Sequence, residues 1–264
     1  TMDKLSAYTL FSGSSGNCVY VKSADAELLI DAGVSARAVE KALREVGSSL
    51  DRITAIFVTH EHVDHTRGLE VISKKHHIPT HMTEPSARAL ITDPHASLLG
   101  DLYLHPLLFS VRLGNTTVRS FATPHDSAAS VGYTVSYTEE NGAAEKLGVA
   151  TDIGHIDDSI VSSLIGSDSV ILEANHDVEM LLSGPYPYPL KRRILSDTGH
   201  LSNDMSAELA KLLAARGTKH FLLAHLSKEN NYPPTAEAAV RAALEDFSGI
   251  TVAAASPDTP TKLK

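Results

Sequence analysis

The stretch Thr59-His-Glu-His-Val-Asp-His65 holds four potential metal ligands within six positions, namely His60, His62, Asp64 and His65. The apolar run that leads into it, from Ile53 to Thr59, is typical of a buried strand. Side chains two positions apart at the end of a strand point the same way, so the first two histidines can chelate one ion. The other two ligands lie at the start of a predicted helix and point at a neighbouring position. The stretch therefore predicts a site for two metal ions.

Fourteen histidines make some clustering by chance expected, but four ligands directly after an apolar strand are poorly explained as a solvated loop. A site for two ions needs more ligands than one loop can supply. Three residues at the ends of later apolar runs qualify, namely His125, Asp152 and His225. In α/β sheets such positions meet at one edge, where active sites usually lie. Each could singly be a core or capping residue; together with the first stretch they complete two coordination spheres.

These residues resemble the ligand set of the metallo-β-lactamase superfamily, whose His-x-His-x-Asp-His signature is matched without a gap. The resemblance implies two ligand sets and one bridging residue, namely His60, His62 and His125, then Asp64, His65 and His225, with Asp152 between. It implies that Asp31, in Leu28-Leu-Ile-Asp-Ala-Gly33, orients the ligand loop without being a ligand. The implied fold is of the α/β class, an αββα four-layer sandwich with two sheets back to back and helices outside.

The ligands are imidazoles and carboxylates without a thiolate. This combination suits zinc, manganese or iron, so we expect two divalent ions drawn from these metals.

Length and composition suit one large domain. With 264 residues and 42% apolar content, the chain can bury a sizeable core over residues 1–264. Only the tail after Ser256, with its prolines and lysines, is expected to be loosely attached. The single cysteine, Cys18, cannot form an internal disulfide. We expect a cytoplasmic protein without a membrane span, and the sequence indicates no protein partner.

Hydrophobic periodicity predicts strands near 5–11, 17–22, 26–31, 53–59 and 168–173. It predicts an antiparallel stretch of strands near 108–112, 116–122, 131–138 and 146–151. Helices are predicted near 35–46, 66–76, 84–91, 156–164 and 177–183. Two more are indicated by the spacing of Met205, Leu209 and Leu213 and by Val240 and Leu244. This mixed order suits a β-sandwich covered by helices.

The chemistry depends on residues between Asp152 and His225, because related sites hydrolyse lactams, thioesters, lactones and phosphodiesters. There the chain offers Glu173 at the end of a predicted strand and His200 before a predicted helix. If they meet beside the metals, His200 can protonate a leaving oxygen while Glu173 fixes its tautomer and favours the imidazolium. Alternatively, His200 only caps the helix and Glu173 faces solvent. We predict the first arrangement, with Asp64, Glu173 and His200 as the catalytic residues.

This pair resembles the nuclease branch of the superfamily, and further motifs resemble its YycJ/WalJ family. They are Ser12-Gly-Ser-Ser-Gly-Asn17, Glu173-Ala-Asn-His-Asp177, Gly184-Pro-Tyr-Pro187, Leu190-Lys-Arg-Arg-Ile194, Gly199-His-Leu-Ser-Asn203 and the segment from His225 to Asn231. The resemblance implies a metal-dependent phosphodiesterase, a 5′→3′ DNA exonuclease with DNA as its substrate. A hydroxide shared by the two ions near Asp152 would be the nucleophile.

Candidates for substrate contact lie in three segments and are Ser14, Asn17, His176, Lys191, Arg192 and Arg193. The basic residues follow Tyr186 and Tyr188, so this segment could stack on a base and pair with phosphate. Alternatively, it is a surface turn with its aromatic rings packed inward. The loop at 12–17 could donate N–H groups to a terminal phosphate, or it could simply link two strands.

The net charge of −9 argues against duplex binding, because proteins that bind duplexes usually present a basic surface. Basic residues concentrated at the cleft, weak DNA binding or a small substrate would each remove the conflict. One alternative is therefore a dinuclear-metal hydrolase of a small ester, thioester or cyclic phosphodiester. A non-catalytic metal-dependent binding protein is disfavoured, because binding alone does not need a water-activating pair.

Overall fold

The computed structural model describes residues 4–92 and 101–264, whose strands form two sheets. The strands of the first sheet are β1 (Ser6–Phe11), β2 (Cys18–Lys22), β3 (Glu27–Ile30), β4 (Ala55–Phe57), β5 (Thr80–Thr83), β6 (Leu102–His105) and β14 (Thr261–Lys262). Their order across the sheet is β14-β1-β2-β3-β4-β5-β6. Pairing is antiparallel from β14 to β3 and parallel from β3 to β6.

The second sheet is built from the later part of the chain. Its strands are β7 (Ser110–Leu113), β8 (Thr116–Ala122), β9 (Val131–Thr138), β10 (Ala144–Ala150), β11 (Ser169–Glu173), β12 (His220–Ala224) and β13 (Thr251–Ala254). Their order is β13-β12-β11-β10-β9-β8-β7. The predicted antiparallel stretch is confirmed as β7 to β10, and β10 to β13 pair in parallel.

Helices cover the outer face of each sheet. Those packed on the first sheet are α1 (Ala36–Glu45), α3 (Leu69–His76) and α4 (Glu84–Thr92). Those packed on the second sheet are α5 (Asp158–Leu164), α8 (Asn203–Ala214) and α9 (Pro233–Ala243). Short α-helices in the connections of the described chain include α2 (Val63–Thr66), α6 (Val178–Ser183) and α7 (Tyr188–Ile194). In the described parts of the chain, no helix combines the length and the apolar character needed to cross a bilayer.

The alternation of side chains along the strands creates the layers. In β3, Leu28 and Ile30 face the core between the two sheets, whereas Leu29 faces the helices. The core between the sheets also contains Tyr133 from β9 and Ile171 from β11. Separate apolar clusters lie under the helices on either side. The predicted αββα four-layer sandwich is confirmed.

The predicted helix at 66–76 differs from the structure, because it is divided into α2 and α3 at Gly68. The N–H of Gly68 donates to the carbonyl of Ala32 at 2.8 Å. A Cβ on Gly68 would lie 2.1 Å from the carbonyl oxygen of Val34. The helical backbone is therefore drawn against the end of β3, next to the ligand stretch.

Periodicity alone does not predict β5, β6, β13 or α7. The strand β5 reads Thr-His-Met-Thr, and its polar residues give no apolar alternation. The segment that begins α7 carries prolines at the start of the helix, where their fixed φ suits the first turn. The same prolines also favour the surface turn considered above, which the structure does not contain.

The tail after Ser256 is not loosely attached, so that expectation is corrected. Residues of β14 pair with Tyr8 and Thr9 of β1, and Leu263 is buried. The N–H of Ser12 donates to the carbonyl of Pro257 at 3.2 Å. Without β14, the edge of β1 would be left unpaired, which gives the tail its physical reason to dock.

Candidate metal centre

The predicted site residues converge where neighbouring strands end. Asp31 follows β3, His60 lies beyond β4, Asp152 lies beyond β10, Glu173 ends β11 and His225 follows β12. Three of them, Asp31, Asp152 and His225, adopt φ angles of 64°, 59° and 57°. This left-handed conformation costs a non-glycine residue about 1 kcal/mol or more. Strained backbone of this kind clusters at functional sites, which is where these residues lie.

Asp31 lies behind two of the histidines, in contact with His65 directly and with His60 through Thr59. Its Oδ2 accepts hydrogen bonds from Nδ1 of His65 at 2.7 Å and from the hydroxyl of Thr59 at 2.9 Å. That hydroxyl oxygen lies 3.0 Å from Nδ1 of His60 and can accept its proton. When neutral, both imidazoles are thereby held as the Nδ1–H tautomer, whose Nε2 carries the lone pair that a metal would use. Nε2 of His60 lies 3.0 Å from Nδ1 of His62.

Two further histidines are fixed in the same way, one by the loop before α8 and one by the end of β11. Nδ1 of His125 lies 3.2 Å from the carbonyl oxygen of Gly199, and Nδ1 of His225 lies 2.9 Å from Oε1 of Glu173. Each donated proton again leaves Nε2 as the free nitrogen. Acceptors from the ends of strands and from the loop before α8 thus aim lone pairs at one centre.

The described residues form several groups that could hold an ion; two of them match the sets that the resemblance implies, and another joins His60, His65 and Asp152 across those sets. Two sets of ligand atoms that lie within 4.8 Å of one another could each hold an ion, namely His60, His62 and His125, and Asp64, His65 and His225. Asp152 lies between them: its Oδ2 is 3.4 Å from Nε2 of His65, and its Oδ1 is 3.7 Å from Nε2 of His125. Another set includes Glu173 and His200, but the oxygens of Glu173 are already engaged by hydrogen bonds.

The buried polar atoms of the centre fit a cation. Within the described residues, Oδ2 of Asp152 and Nε2 of His225 are buried without a hydrogen-bond partner. A buried carboxylate oxygen without a partner is destabilising, and a divalent cation would satisfy both atoms at once. The donor set is thus compatible with binding of divalent metal.

The pKa shifts of the centre also favour a cation. Burial places the pKa of His60 well below its ordinary value, and the imidazole of His65 lowers it further. Burial would also lower the pKa of His65, but the carboxylates of Asp152 and Asp31 raise it to about 9. Burial opposes ionisation of Asp152, yet the surrounding imidazoles hold its pKa well below the usual range. Positive charge is therefore favoured next to Asp152.

Glu173 meets His200 beside the ligands. Its Oε1 accepts a hydrogen bond from Nδ1 of His200 at 2.8 Å, and its Oε2 accepts from the N–H groups of Ile153 and Leu201 at 2.9 and 3.1 Å. Burial would raise the pKa of Glu173, but the imidazole of His200 lowers it to about 2. Nδ1 of His200 lies 3.8 Å from Oδ1 of Asp152.

The alternative that Glu173 faces solvent and His200 only caps a helix does not hold. Glu173 is fully buried and does not face solvent. The residue that caps α8 is Ser202, whose hydroxyl accepts from the N–H of Met205. His200 is therefore free of a capping role, and 20% of its side chain is exposed to the pocket.

The ligands open into a pocket of about 290 Å³. One wall consists of α7 and the loop before it, with Tyr186, Leu190 and Arg193. The guanidinium of Arg193 donates to the carboxylate of Asp126, which follows ligand candidate His125. The pKa of Arg193 is raised, first by this hydrogen bond and also by the charges of Asp126 and Asp64.

Sequence reasoning did not select every residue of the pocket. Those that it missed include Asp126, Asn175 and Ser227. The signal for Asp126 was its position directly after His125. Asn175 and Ser227 lie within quoted motifs, but nothing in the sequence indicates that their side chains face the pocket.

Ser14 and Arg193 line the pocket, as their proposed contact with substrate requires. Asn17 does not, because its side chain lies under the ligand stretch. The N–H of Asn17 donates to the carbonyl of Asp64 at 2.8 Å, and its Nδ2 lies 3.2 Å from Nε2 of His65. Gly33 makes this close approach possible, since a Cβ there would lie 1.6 Å from the carbonyl oxygen of Asp64. Asn17 therefore supports the ligands instead of lining the pocket.

The other three candidates for substrate contact also lie outside the pocket walls. His176 is only 1% exposed. The amine of Lys191 donates to the carbonyl groups of Leu182 and Gly184 at 2.7 and 2.8 Å. Arg192 lies on the face of α7 that is turned away from the pocket.

Comparison with known proteins places the chain in a family. A family model described as β-lactamase superfamily domain matches residues 27–226. Exodeoxyribonuclease YycJ of Bacillus anthracis is 36% identical over 97% of this chain and 97% of its own. The chain belongs to the YycJ/WalJ family of the metallo-β-lactamase superfamily. Exodeoxyribonuclease WalJ of Streptococcus pneumoniae serotype 2 is 34% identical over 96% of this chain and 95% of its own.

Solved structures agree with the fold of this YycJ/WalJ family member. The metallo-β-lactamase fold protein YhfI of Bacillus subtilis superposes with a TM-score of 0.69 at 16% identity, over 98% of this chain and 100% of that chain. The predicted family is confirmed, and membership confirms an enzyme of the hydrolase class over a non-catalytic binding protein.

Proposed function

We propose that this YycJ/WalJ family member is a metal-dependent DNA exonuclease that removes nucleotides from 5′ ends. The observation that carries the proposal is the contact between the buried Glu173 and the partly exposed His200 at the edge of the ligand cluster. Cleavage of a phosphodiester expels an alkoxide, which needs a proton from an acid placed beside the metals. DNA as the substrate is supported by two nearly full-length relatives that are exodeoxyribonucleases.

Seven residues would hold two divalent ions, namely His60, His62, Asp64, His65, His125, Asp152 and His225. Zinc, manganese and iron all accept these donors. When bound, such ions would act as Lewis acids, lower the pKa of water and orient the phosphate. Asp31 and Glu173 keep the ligand imidazoles of His65 and His225 in the tautomer that binds metal.

His200 is the general acid of this proposal. Its Nδ1 proton is held by Glu173, so the proton delivered to the leaving oxygen is the one on Nε2. The ionised, buried carboxylate of Glu173 stabilises the imidazolium before the proton is transferred. After the transfer, the same hydrogen bond holds the neutral ring in place. Asp64 completes the catalytic residues as a ligand that lines the pocket.

Arg193 and Tyr186 form the wall that grips the substrate strand. Asp126 fixes one edge of the Arg193 guanidinium, so that its remaining N–H groups can bind a phosphate oxygen. Tyr186 lines the same pocket and offers a ring on which a base can stack. Ser14 and Ser227 supply hydroxyl groups that can donate to phosphate.

The test is digestion of linear DNA labelled at either end, using metal-free protein resupplied with Mn²⁺ or Zn²⁺, beside His200→Ala. Stepwise loss of nucleotides from the 5′ end, abolished in the variant, is the expected result. Loss from the 3′ end would overturn the direction. The absence of cleavage with either metal would overturn the activity.

A second candidate is a dinuclear-metal hydrolase of a small ester, thioester or cyclic phosphodiester. The net charge of −9 and the modest volume of the pocket favour it. Hydrolysis of such compounds without any cleavage of DNA would select this candidate. Thioester hydrolysis needs no acid for an alkoxide, so it should survive His200→Ala.

A further inference from the structure

The helix α7 separates the pocket from a second groove. Leu190, Arg193 and Ile194 face the pocket. The opposite face of the helix, together with α6, lines a groove of about 390 Å³ formed by Leu182, Tyr188, Lys191, Arg192 and Leu195. The spacing of the two sets matches opposite sides of an α-helix. One short helix thus stands between two openings.

The groove has the chemistry of a site for single-stranded nucleic acid. Tyr188, at the edge of the groove, is 72% exposed, and Leu182 and Leu195 are also exposed. Arg192 is exposed, and Lys191 adds a second positive charge. None of the residues that line this groove in the described chain is acidic. An exposed aromatic ring beside cations binds a base by stacking and a phosphate by charge.

The charge of α7 contrasts with that of the whole molecule. The chain carries a net charge of −9, yet three of the seven residues of α7 are basic and none is acidic. This local charge is complementary to a phosphate backbone. Lys191 and Arg192 lie on the groove side of the helix and Arg193 on the pocket side, so this charge is divided between the two openings.

The helix is held firmly from both sides. Arg193 is bonded to Asp126 across the pocket, and Lys191 is bonded to the carbonyl groups of Leu182 and Gly184 on the side of α6. Pro187 and Pro189 restrict the backbone where the helix begins. These contacts make α7 a rigid element, which a helix that separates the two strands of a DNA duplex would need to be.

We propose that α7 is a wedge that separates the strands of a DNA duplex end. The strand to be cut enters the pocket, and its partner passes along the groove. The terminal base of the partner strand stacks on Tyr188, and its phosphate pairs with Arg192. This inference rests on the proposed exonuclease activity and adds a site for the strand that is not cut.

The test compares rates on a blunt duplex and on the same sequence as a single strand. Tyr188→Ala should cleave the duplex about tenfold more slowly, because loss of one stacked base changes an equilibrium by about this factor. Its rate on the single strand should stay within about twofold of the wild type. Arg192→Gln should show the same selectivity, while Tyr188→Phe, which keeps the ring, should behave as the wild type.

The matched control is Tyr103→Ala, which removes an exposed tyrosine of β6 in the first sheet. It should leave the ratio of the duplex rate to the single-strand rate unchanged. Equal slowing on both substrates, or no slowing on the duplex, would overturn the wedge. A wild-type protein that cleaves only single strands would overturn it as well. If the wild type cleaves neither substrate, the proposed exonuclease activity fails instead.

Discussion

Oε1 of the buried Glu173 lies 2.8 Å from Nδ1 of His200, which lines the pocket. The same oxygen lies 2.9 Å from Nδ1 of His225, a candidate ligand. One carboxylate therefore sets the tautomer of the proposed acid and of a metal ligand together. Variants of His200 and of Glu173 should consequently fail in different ways.

His200→Ala should lower the rate of DNA cleavage by about 10²–10⁴-fold, which is the usual contribution of a general acid. Its metal content should equal that of the wild type, because His200 is not among the proposed ligands. Cleavage rates and metal analysis of the same preparation measure both effects. His155→Ala is the matched control, since Nδ1 of His155 lies 2.9 Å from the carbonyl of Asp197 and the residue does not line the pocket. Full activity in His200→Ala would exclude it as the acid.

Glu173→Gln should weaken metal binding as well as catalysis. Four groups donate to the carboxylate of Glu173, and the amide of glutamine offers only one oxygen to them. Loss of such a partner typically lowers metal affinity about 10–100-fold. Titration of metal-free protein with Zn²⁺ against a competing chelator measures the affinity. Unchanged affinity in Glu173→Gln would show that its bond to His225 has no influence on the metal.

Arg193→Gln should raise KM for DNA about tenfold and leave kcat within a few-fold of the wild type, because one phosphate contact is lost. The slope of log affinity against log salt should also fall by about one. Arg88→Gln is the control, since Arg88 pairs with Glu84 on α4, away from the pocket. A fall in kcat with unchanged KM would instead place Arg193 at the reacting phosphate in the transition state.

Local periodicity predicts the buried strands and the ligands at their ends, as the alternation in Leu28-Leu-Ile30 and the position of His225 after an apolar run illustrate. The arrangement of these strands in four layers was implied by the resemblance to the superfamily. The implied positioning residue Asp31 also lies where it is needed, next to His65. Buried strands therefore carry the part of the site that can be read from sequence.

The pocket wall could not be predicted in the same way, because it depends on contacts between distant segments. Arg193 meets Asp126 across a separation of 67 residues, and neither position shows a periodic pattern. Lys191 and Arg192 precede Arg193 directly in sequence, but they line the groove while Arg193 lines the pocket. Successive residues of a helix point in directions about 100° apart, and the sequence does not show which direction faces the site. The tail likewise docks through pairing with β1 that no local signal indicates.

The paired histidines of the first sheet should make stability fall in mild acid. His81 stacks on Phe57, and its Nδ1 lies 2.9 Å from Nε2 of His105. Burial, with a smaller effect of His105, lowers the pKa of His81 to about 4, whereas the unfolded value is about 6.5. Between these two values the unfolded chain binds more protons, so the free energy of unfolding falls as the pH falls.

Denaturant titrations from pH 7 to pH 4 test this expectation. The free energy of unfolding should decrease less steeply in His81→Phe than in the wild type, because phenylalanine keeps a stacked ring but takes up no proton. His155→Ala, which removes a more accessible imidazole, serves as the comparison. If the free energy of unfolding falls equally with pH in the wild type and in His81→Phe, His81 is not a source of acid sensitivity.

Removal of divalent metal should destabilise the protein without unfolding it. The apolar layers do not depend on the site, but Oδ2 of Asp152 and Nε2 of His225 are buried without a hydrogen-bond partner within the described residues. An ion at 100 times its Kd stabilises the folded state by about 2.7 kcal/mol. For a chain of this size, that corresponds to a rise in Tm of about 5–10 °C. Thermal unfolding of metal-free protein, with and without Zn²⁺ or Mn²⁺, measures the shift.

His225→Ala should show a smaller rise in Tm and bind fewer ions per chain. An equal rise in this variant would show that His225 contributes nothing to metal binding.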